Sequence, residues 1–410
     1  MRVPAGAPVP FWLSVKNRLP KFAGSSPSLG TVAVAATVLI TGAAVFSITL
    51  YPKIYNDYYK RAQKEERALL RATREELAGS MTTEEKQTPA ISDADTDGEK
   101  SGDEKEELGG VVRNQFDLST LSDDTKEIDI THTRADAVPD MTRFKNLQEL
   151  CIRTNLLTEI NERMLSLNNL VELDLYENQI TEIKNLDNLV NLVKLDLSYN
   201  RIREIKGLEN LKKLEVIYFV HNKISVIENL DNLKELKLLE LGDNRIKKIE
   251  NISHLVNLKE LYLGKNKIRH IEGIEKLQNL RLFSIPGNRL VSIDNLSSLA
   301  DLEELYISDQ GLQNLEGIET MKNLRVLDVA NNEITSFSSV SLLENLEDFW
   351  ANDNRIESWK EVDKLANLSK LDTVYLERNP IYTSDRTSYR RKVMLALKQI
   401  KQLDANLCAH

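Results

Sequence analysis

The chain has 410 residues, of which 41% are hydrophobic and 29% are charged, and its 54 Lys and Arg against 63 Asp and Glu give a formal net charge of −9. This length suffices for a large core, or for an elongated repeat domain with additional segments. The excess of acid repels phosphate backbones at long range and argues against nucleic acid as a partner. Cys151 and Cys408 are too few for a disulfide framework and are typical of a reducing compartment.

The N-terminal region divides into three segments by charge. Residues 1–28 are basic and contain no acid, residues 29–51 are uncharged, and residues 52–77 are densely charged with a predicted amphipathic helix. The uncharged run is long enough to cross a bilayer as a helix, and we interpret it as a single-pass membrane anchor rather than a buried helix. Bases flank it on both sides, so its orientation stays open. The acid-free N-terminus also fits a mitochondrial or signal-anchor segment.

One stretch of this region has a resemblance of its own. Leu39–Ala72 reads LITGAAVFSITLYPKIYNDYYKRAQKEERALLRA. It is similar to a small mitochondrial inner-membrane protein that assists cytochrome oxidase assembly. The resemblance implies a mitochondrial membrane location. It is also consistent with a chain in which two unrelated coding units have been joined.

Two further segments precede the regular part of the chain. Residues 78–110 are rich in Ser, Thr, Asp, Glu and Gly, and such a composition cannot bury enough apolar surface to offset its ordering entropy. They predict a disordered acidic linker. Residues 111–146 include repeat-like apolar spacing at Glu127–Ile130 without a clean asparagine slot, which predicts an atypical N-terminal cap.

Residues 147–379 repeat a short pattern, LxxLxLxxN, as in LVELDLYEN at Leu170–Asn178 and LVKLDLSYN at Leu192–Asn200. The asparagines recur at multiples of 22 residues, with Gln310 in one slot. They are Asn178, Asn200, Asn222, Asn244, Asn266, Asn288, Asn332 and Asn354. A strict period of this length with this pattern is the signature of a leucine-rich repeat.

The pattern predicts an α/β repeat fold, a leucine-rich-repeat solenoid of about 11 repeats of 22 residues. We expect a parallel β-sheet on its concave face, 3-10 turns or short helices on its convex face, and a helical C-terminal cap over residues 380–410. Each slot asparagine should be buried with its amide satisfying backbone groups of its own and the neighbouring coil. Gln310 is one methylene longer, so we expect a local weak point there and not a binding site.

The sequence contains no motif of nucleotide binding, metal binding or nucleophilic catalysis. We therefore expect no enzyme activity, cofactor or metal. The informative residues flank the inward leucines of each strand, because alternation directs them to the concave face. Their central column reads Asp174, Asp196, Tyr218, Glu240, Tyr262, Ser284, Tyr306, Asp328, Trp350 and Tyr375. Solubility alone explains the acids, but aligned aromatic rings among them favour a protein partner that presents Arg and Lys.

Residues 147–407 closely resemble the protein phosphatase 1 regulatory subunit 7 family of leucine-rich-repeat proteins. The stretches that carry the resemblance are VELDLYENQI, LELGDNRIKKIENISHL, LYLGKNKI, DFWANDN, VYLERNP and YRRKVMLAL. It implies a non-catalytic subunit of the nucleus and cytoplasm that is monomeric apart from its complex with the phosphatase catalytic subunit. The implied contact residues on the concave face are Asp196, Tyr218, Glu240, Tyr262, Asp328, Asp348, Trp350 and Tyr375.

A second class of function fits the same repeat length. Structural adaptors of axonemal and spliceosomal type share the short-repeat architecture and bind other protein partners. The C-terminal stretch YLERNP followed by YRRKVMLAL separates the two readings, because the adaptors end in different caps.

Overall fold

The computed structural model describes residues 118–408. The segments 1–28, 29–51, 52–77 and 78–110, with the predicted anchor and linker, lie outside the described residues. Within residues 118–408, no helix has both the length and the apolar surface that a bilayer crossing requires.

Fourteen short strands form one sheet in which every neighbour in space is also the neighbour in sequence. They are β1 Glu127–Asp129, β2 Glu149–Cys151, β3 Glu172–Asp174, β4 Lys194–Asp196, β5 Val216–Tyr218, β6 Leu238–Glu240, β7 Glu260–Tyr262, β8 Leu282–Ser284, β9 Glu304–Tyr306, β10 Val326–Asp328, β11 Asp348–Trp350, β12 Thr373–Tyr375, β13 Gln402–Leu403 and β14 Asn406–Leu407. All pairs are parallel except the last, in which β14 returns antiparallel to β13. This order is that of a solenoid, and the predicted leucine-rich-repeat fold is confirmed.

The core is a single stack of apolar layers between the strands and the turns behind them. The middle residue of each strand from β1 to β12 is buried, as are most of the apolar residues of the following turns. Leu173, Leu195 and Ile217 illustrate the register, since each lies directly opposite the next. A coil therefore buries its leucines only against the coil before and the coil after it, as in other repeat proteins.

The convex side of most coils is built from single 3-10-type turns rather than from helices. Leu189 N–H donates to the Leu186 carbonyl at 2.9 Å, and Leu192 N–H donates to the Leu189 carbonyl at 2.9 Å. Longer 3-10 segments occupy Leu118–Thr120, Glu162–Ser166, Val340–Leu342 and Lys364–Asn367, and one short α-helix, α1, spans Trp359–Asp363. The expected 3-10 geometry is thus present, mostly as isolated turns, because a 22-residue coil leaves no room for more.

Buried asparagines tie each coil to its neighbours. Asn200 donates through Nδ2 to the carbonyls of Leu175 (3.0 Å), Leu197 (3.1 Å) and Ser198 (3.1 Å), and its Oδ1 accepts from Ile180 N–H at 2.9 Å. The amide thus uses both donor hydrogens and one acceptor in the interior, where an unmade hydrogen bond is costly. The buried residues of this asparagine ladder are Asn155, Asn178, Asn200, Asn222, Asn244, Asn266, Asn288, Asn332, Asn354 and Asn379.

Gln310 occupies one ladder slot and makes fewer bonds there. Its Nε2 donates to the Ile285 carbonyl at 2.5 Å, and its Oε1 accepts from Leu290 N–H at 3.2 Å. Asn288 contacts one carbonyl of the preceding coil and two of its own coil. Among the described residues, the Gln310 side chain bonds only to the preceding coil and to no carbonyl of its own coil, because its greater length carries the amide past its own backbone.

The two ends of the solenoid are closed differently. At the start, β1 pairs in full register with β2, so the predicted N-terminal cap contributes a complete strand. At the end, α2 (Pro380–Thr383) and α3 (Arg386–Ala396) cover the last coil, and both lie within the predicted helical cap of residues 380–410. Tyr389 and Val393 are the buried residues of α3.

Asp404 directly follows Leu403, which pairs in register with Val374 of the last full coil. Its Oδ1 accepts from Leu376 N–H at 2.9 Å and from Glu377 N–H at 3.1 Å, and the Tyr389 hydroxyl donates to its Oδ2 at 3.1 Å. A carboxylate suits this position because it accepts hydrogen bonds from backbone and phenol and need donate none. The cap therefore completes the backbone bonding of the final coil.

We expect Gln310→Asn to stabilise the protein by about 0.5–1.5 kcal/mol, since an asparagine amide restores the bonds to the carbonyls of its own coil. The reciprocal change, Asn288→Gln, should destabilise it by a comparable or larger amount. Urea unfolding of both variants against the wild type measures the difference. A loss of stability in Gln310→Asn would show that the surrounding coil has adapted to glutamine.

Candidate protein-binding surface

The third residue of each strand from β3 to β12 forms a column on the concave face, on the side of the sheet opposite the core. Register pairs join Asp174 to Asp196, Tyr218, Glu240, Tyr262, Ser284, Tyr306, Asp328, Trp350 and Tyr375 in that order. We call these ten residues the concave column. Seven of the eight residues named as contacts from the sequence lie in it, and Asp348 lies two residues before Trp350 on the same face. All eight are half-buried, not fully exposed.

Aromatic rings close over the acid at the C-terminal end of the column. Tyr306 and Trp350 belong to strands on either side of β10, yet their ring centroids lie 6.1 Å apart, and Trp350 contacts Tyr375 at 6.2 Å. Asp328 occupies the register position between Tyr306 and Trp350. Burial raises the pKa of Asp328 to about 6, against a weaker opposing effect of the Ala330 N–H that donates to it at 2.9 Å. This end of the surface presents a desolvated acid framed by rings.

Glu240 is the corresponding acid near the middle of the column. It lies in register between Tyr218 and Tyr262. Burial raises the pKa of Glu240 to about 7, although the Gly242 N–H donates to its Oε1 at 2.8 Å and favours the charged form. Near neutral pH this carboxyl is therefore divided between its protonated and ionised forms, and an approaching cation would favour ionisation.

Two tyrosines of the column are held in place by acids on their own strands. The Tyr262 hydroxyl donates to Glu260 at 2.8 Å, and the Tyr306 hydroxyl donates to Glu304 at 2.7 Å. Burial, followed by these carboxylate bonds, raises the pKa of both phenols. The phenols remain protonated donors, so the orientation of the rings is fixed before any partner arrives.

The aspartates and Glu240 also have a structural role at the ends of their strands. Asp196 accepts the Ser198 N–H at 2.8 Å, as Glu240 accepts that of Gly242 and Asp328 that of Ala330. These bonds satisfy an amide where the sheet ladder ends. Strand capping therefore explains the acids even if no protein partner binds. It does not explain the aromatic rings.

A second aromatic group lies on the rim beside the column, and the sequence analysis missed it. Arg153 lies 4.3 Å from the Tyr176 ring, Tyr176 contacts Tyr199 at 4.9 Å, and Tyr199 stacks on His221 at 4.8 Å. The row ends where His221 Nδ1 meets Asp243 Oδ2 at 2.6 Å. Because Tyr176 and Tyr199 stand 23 residues apart, a search in steps of 22 separates them.

The described residues offer no cluster for a metal ion, since no three His, Cys, Asp or Glu side chains within 118–408 are grouped to hold one.

Three family models match the chain, and all describe leucine-rich repeats. They cover residues 277–408, residues 126–202, and two-copy units at 190–235 and 234–276. Solved structures with the same architecture include a Leptospira interrogans leucine-rich-repeat protein, at TM-score 0.63 and 25% identity over 69% of this chain and 73% of that one. Another is an internalin (inlF) of Listeria monocytogenes, at TM-score 0.58 and 23% identity over 70% of this chain and 88% of that one. The chain is a leucine-rich-repeat protein.

Curated relatives with matching segments come from one group of leucine-rich-repeat proteins. A segment of 77 residues, 19% of this chain, is 60% identical to the protein phosphatase 1 regulatory subunit SDS22 homolog of Caenorhabditis elegans, of which it covers 24%. A segment of 68 residues, 16% of this chain, is 45% identical to the subunit SDS22 of Saccharomyces cerevisiae and covers 20% of it. The resemblance to this family of phosphatase regulatory subunits is confirmed. The matched segments span about a quarter or less of the length of these relatives.

We expect Glu240→Gln to change stability in a pH-dependent way. The carboxyl pKa is about 7 in the folded protein against the ordinary value of 4.5 for a glutamate, so the folded state binds this proton more tightly. Wild-type stability should therefore fall as pH rises from about 4.5 to about 7, and Gln, which cannot ionise, should escape that loss. At pH 8 the variant should be more stable by about 1–3 kcal/mol, and near pH 4 the gain should vanish.

Chemical denaturation at both pH values measures this difference, with Glu235→Gln on the exposed convex side as the matched control. A gain of equal size at pH 4 and pH 8 would exclude ionisation of Glu240 as its cause.

Proposed function

We propose that this chain is a non-catalytic regulatory subunit that binds the protein phosphatase 1 catalytic subunit through its concave column and controls the activity, maturation or targeting of that enzyme. The names of its relatives support the partner. The observation that carries the binding surface is the in-register alternation of half-buried carboxyls and aromatic rings from β4 to β7 and again from β9 to β11.

The chemistry of the column suits a partner that presents Arg or Lys. Burial destabilises the ionised forms of Glu240 and Asp328 in the free protein. A guanidinium or ammonium group placed against either acid offsets that desolvation and donates bidentate or single charge-assisted hydrogen bonds to the carboxylate. The neighbouring rings add apolar area and cation–π attraction, which are typical of residues that dominate interface energetics.

The column is also organised before binding. Tyr262 and Tyr306 are held by Glu260 and Glu304, and Trp350 is packed against Tyr306 and Tyr375. Side chains that are already ordered lose less conformational entropy when a partner docks. A partner therefore meets a surface in which the rings need not be rearranged.

We propose that the repeat domain acts as a monomer in the nucleus and cytoplasm apart from its complex. For residues 29–51 the proposal is a single-pass anchor, in the mitochondrion or another membrane. Carbonate extraction of cells that express the full chain tests the anchor. Quantitative release of the intact, unprocessed protein would exclude it.

We expect Trp350→Ala to weaken binding of the phosphatase catalytic subunit by about 2 kcal/mol or more, because central aromatic residues carry much of an interface's energy. Combination with Glu240→Lys should abolish binding, since reversal of the charge repels a basic partner. Titration calorimetry of the full chain against the purified catalytic subunit measures this, with phosphatase activity assayed in parallel. Leu342→Ala, on the exposed convex side, is the matched control.

Folded double variants that bind like the wild type would refute the assignment of the surface. Failure of the wild type to bind at micromolar concentration would refute the phosphatase as partner, and a structural adaptor role would then be preferred.

Binding should also strengthen as pH rises from about 6 to about 8, because the partner selects the ionised forms of Glu240 and Asp328, whose pKa values are about 7 and about 6. The dissociation constant of the wild type, measured across this range, should fall with pH. Glu240→Gln should flatten the part of the profile near pH 7. A wild-type profile identical to that of Glu240→Gln would show that Glu240 stays in one protonation state on binding.

A further inference from the structure

A line of cations runs along the solenoid outside the concave column. The residue directly after the ladder asparagine is basic in five successive coils, and four of these residues are exposed while one is half-buried. They are Arg201, Lys223, Arg245, Lys267 and Arg289. We call this line the basic ridge. It stands out in a chain whose formal net charge is −9.

The backbone fixes the spacing of the ridge. Arg201 N–H donates to the Ile180 carbonyl at 2.8 Å, and Lys223 N–H donates to the Ile202 carbonyl at 2.8 Å. The same bond recurs at the other three members of the ridge, and each of them follows a buried ladder asparagine. Neighbouring coils in such a sheet lie ~4.8 Å apart, so the five residues span about 19 Å in a single row.

Within the part of the chain that the structure describes, the ridge cations have no partners of opposite charge. Among residues 118–408, none of the five forms an ion pair or a side-chain hydrogen bond. Farther along the same column, Arg355 pairs with Glu333 of the adjacent coil at 2.7 Å. Elsewhere in the chain, Lys237 likewise pairs with Glu215 at 2.7 Å. Like charges on neighbouring strands of a sheet repel each other. Arg355 and Lys237 avoid this repulsion because each pairs with an acid. An anion laid along the ridge would relieve the repulsion among the five ridge cations.

The surroundings of the ridge limit the shape of that anion. Along the chain, Asp243 stands two residues before the ridge position Arg245, and Glu250 and Glu272 each stand five residues after a ridge position. A duplex carries one negative charge per ~1.7 Å of axis, and that density would press phosphates against the flanking carboxylates. An extended peptide is only one strand wide, and its alternate side chains repeat every ~6.6 Å on one face. A single row of carboxylates therefore fits the ridge better than a nucleic acid does.

We propose that the basic ridge docks an extended acidic peptide segment of a partner protein, at a surface separate from the concave column. The exposed bases Arg203, Lys247 and Arg269 stand two residues beyond ridge positions and widen the contact on one side. The peptide lies across the coils, perpendicular to the strands' backbone direction, with its carboxylates toward the ridge. This goes beyond the proposed phosphatase binding and does not depend on it.

The test uses the full chain and a fluorescent peptide of about ten residues that alternates Glu and Gly, long enough to span the ridge when extended. Fluorescence anisotropy should show binding that weakens as salt rises, because exposed ion pairs are screened. The triple variant Lys223→Gln, Arg245→Gln, Lys267→Gln should bind about 3- to 100-fold more weakly. The matched control, Lys212→Gln, Lys234→Gln, Lys276→Gln, removes equal charge from exposed positions off the ridge and should stay within about twofold.

Three outcomes overturn the proposal: no binding of the peptide by the wild type at low salt, equal weakening in both triple variants, or tighter binding of an oligothymidylate with the same number of charges. A thermal melt checks that each variant folds, and the single variant Arg245→Gln repeats the measurement if the triple does not. The ridge triple should still bind the phosphatase catalytic subunit like the wild type, so failure of one proposal leaves the other standing.

Discussion

The asparagine ladder is the constraint on which the rest of this structure depends. Each amide bonds the carbonyls of its own coil and of the coil before it, and it accepts an N–H across the same gap, as Asn200 does with Ile180. Two neighbouring coils are thereby fixed at one separation and one register. The apolar layers, the concave column and the basic ridge all inherit their spacing from these bonds. The surfaces are regular because the interior has a polar repeat as well as a hydrophobic one.

The acids of the concave column have one role in the free protein and a second one in the proposed complex. Asp196, Glu240 and Asp328 satisfy backbone amides at strand ends. Burial at the same time removes water from the carboxyls of Glu240 and Asp328 and raises their pKa values. A free protein gains nothing from that desolvation, whereas a complex with a basic partner does. A recognition surface differs from a merely soluble one in this respect, because its ionised acids are destabilised in the free protein and stabilised in the complex.

The period in the sequence was enough to predict the fold and the face that carries the column, because a spacing of 22 leaves each residue one place in its coil. In the last, longer repeat the leucine pattern and not the count of 22 placed Tyr375 beside Trp350. The period did not predict that rings would close over Asp328, since ring packing depends on side-chain conformations that the period does not determine. It also missed the stack from Tyr176 to His221, which crosses from one column to the next. The repeat period predicts which residues lie in one column, but it does not predict contacts between residues of different columns.

The longest coil shows where this architecture can change. Between Asn354 and Asn379 the count is 25 instead of 22, yet Trp350 still faces Tyr375 in register. The additional residues are taken up on the convex side, where the chain forms α1 (Trp359–Asp363). Insertions on the convex side of a coil thus leave its strand on the concave face unaltered. Natural variation or grafted segments can accumulate on the convex side of this protein while its concave face remains the same to whatever binds there.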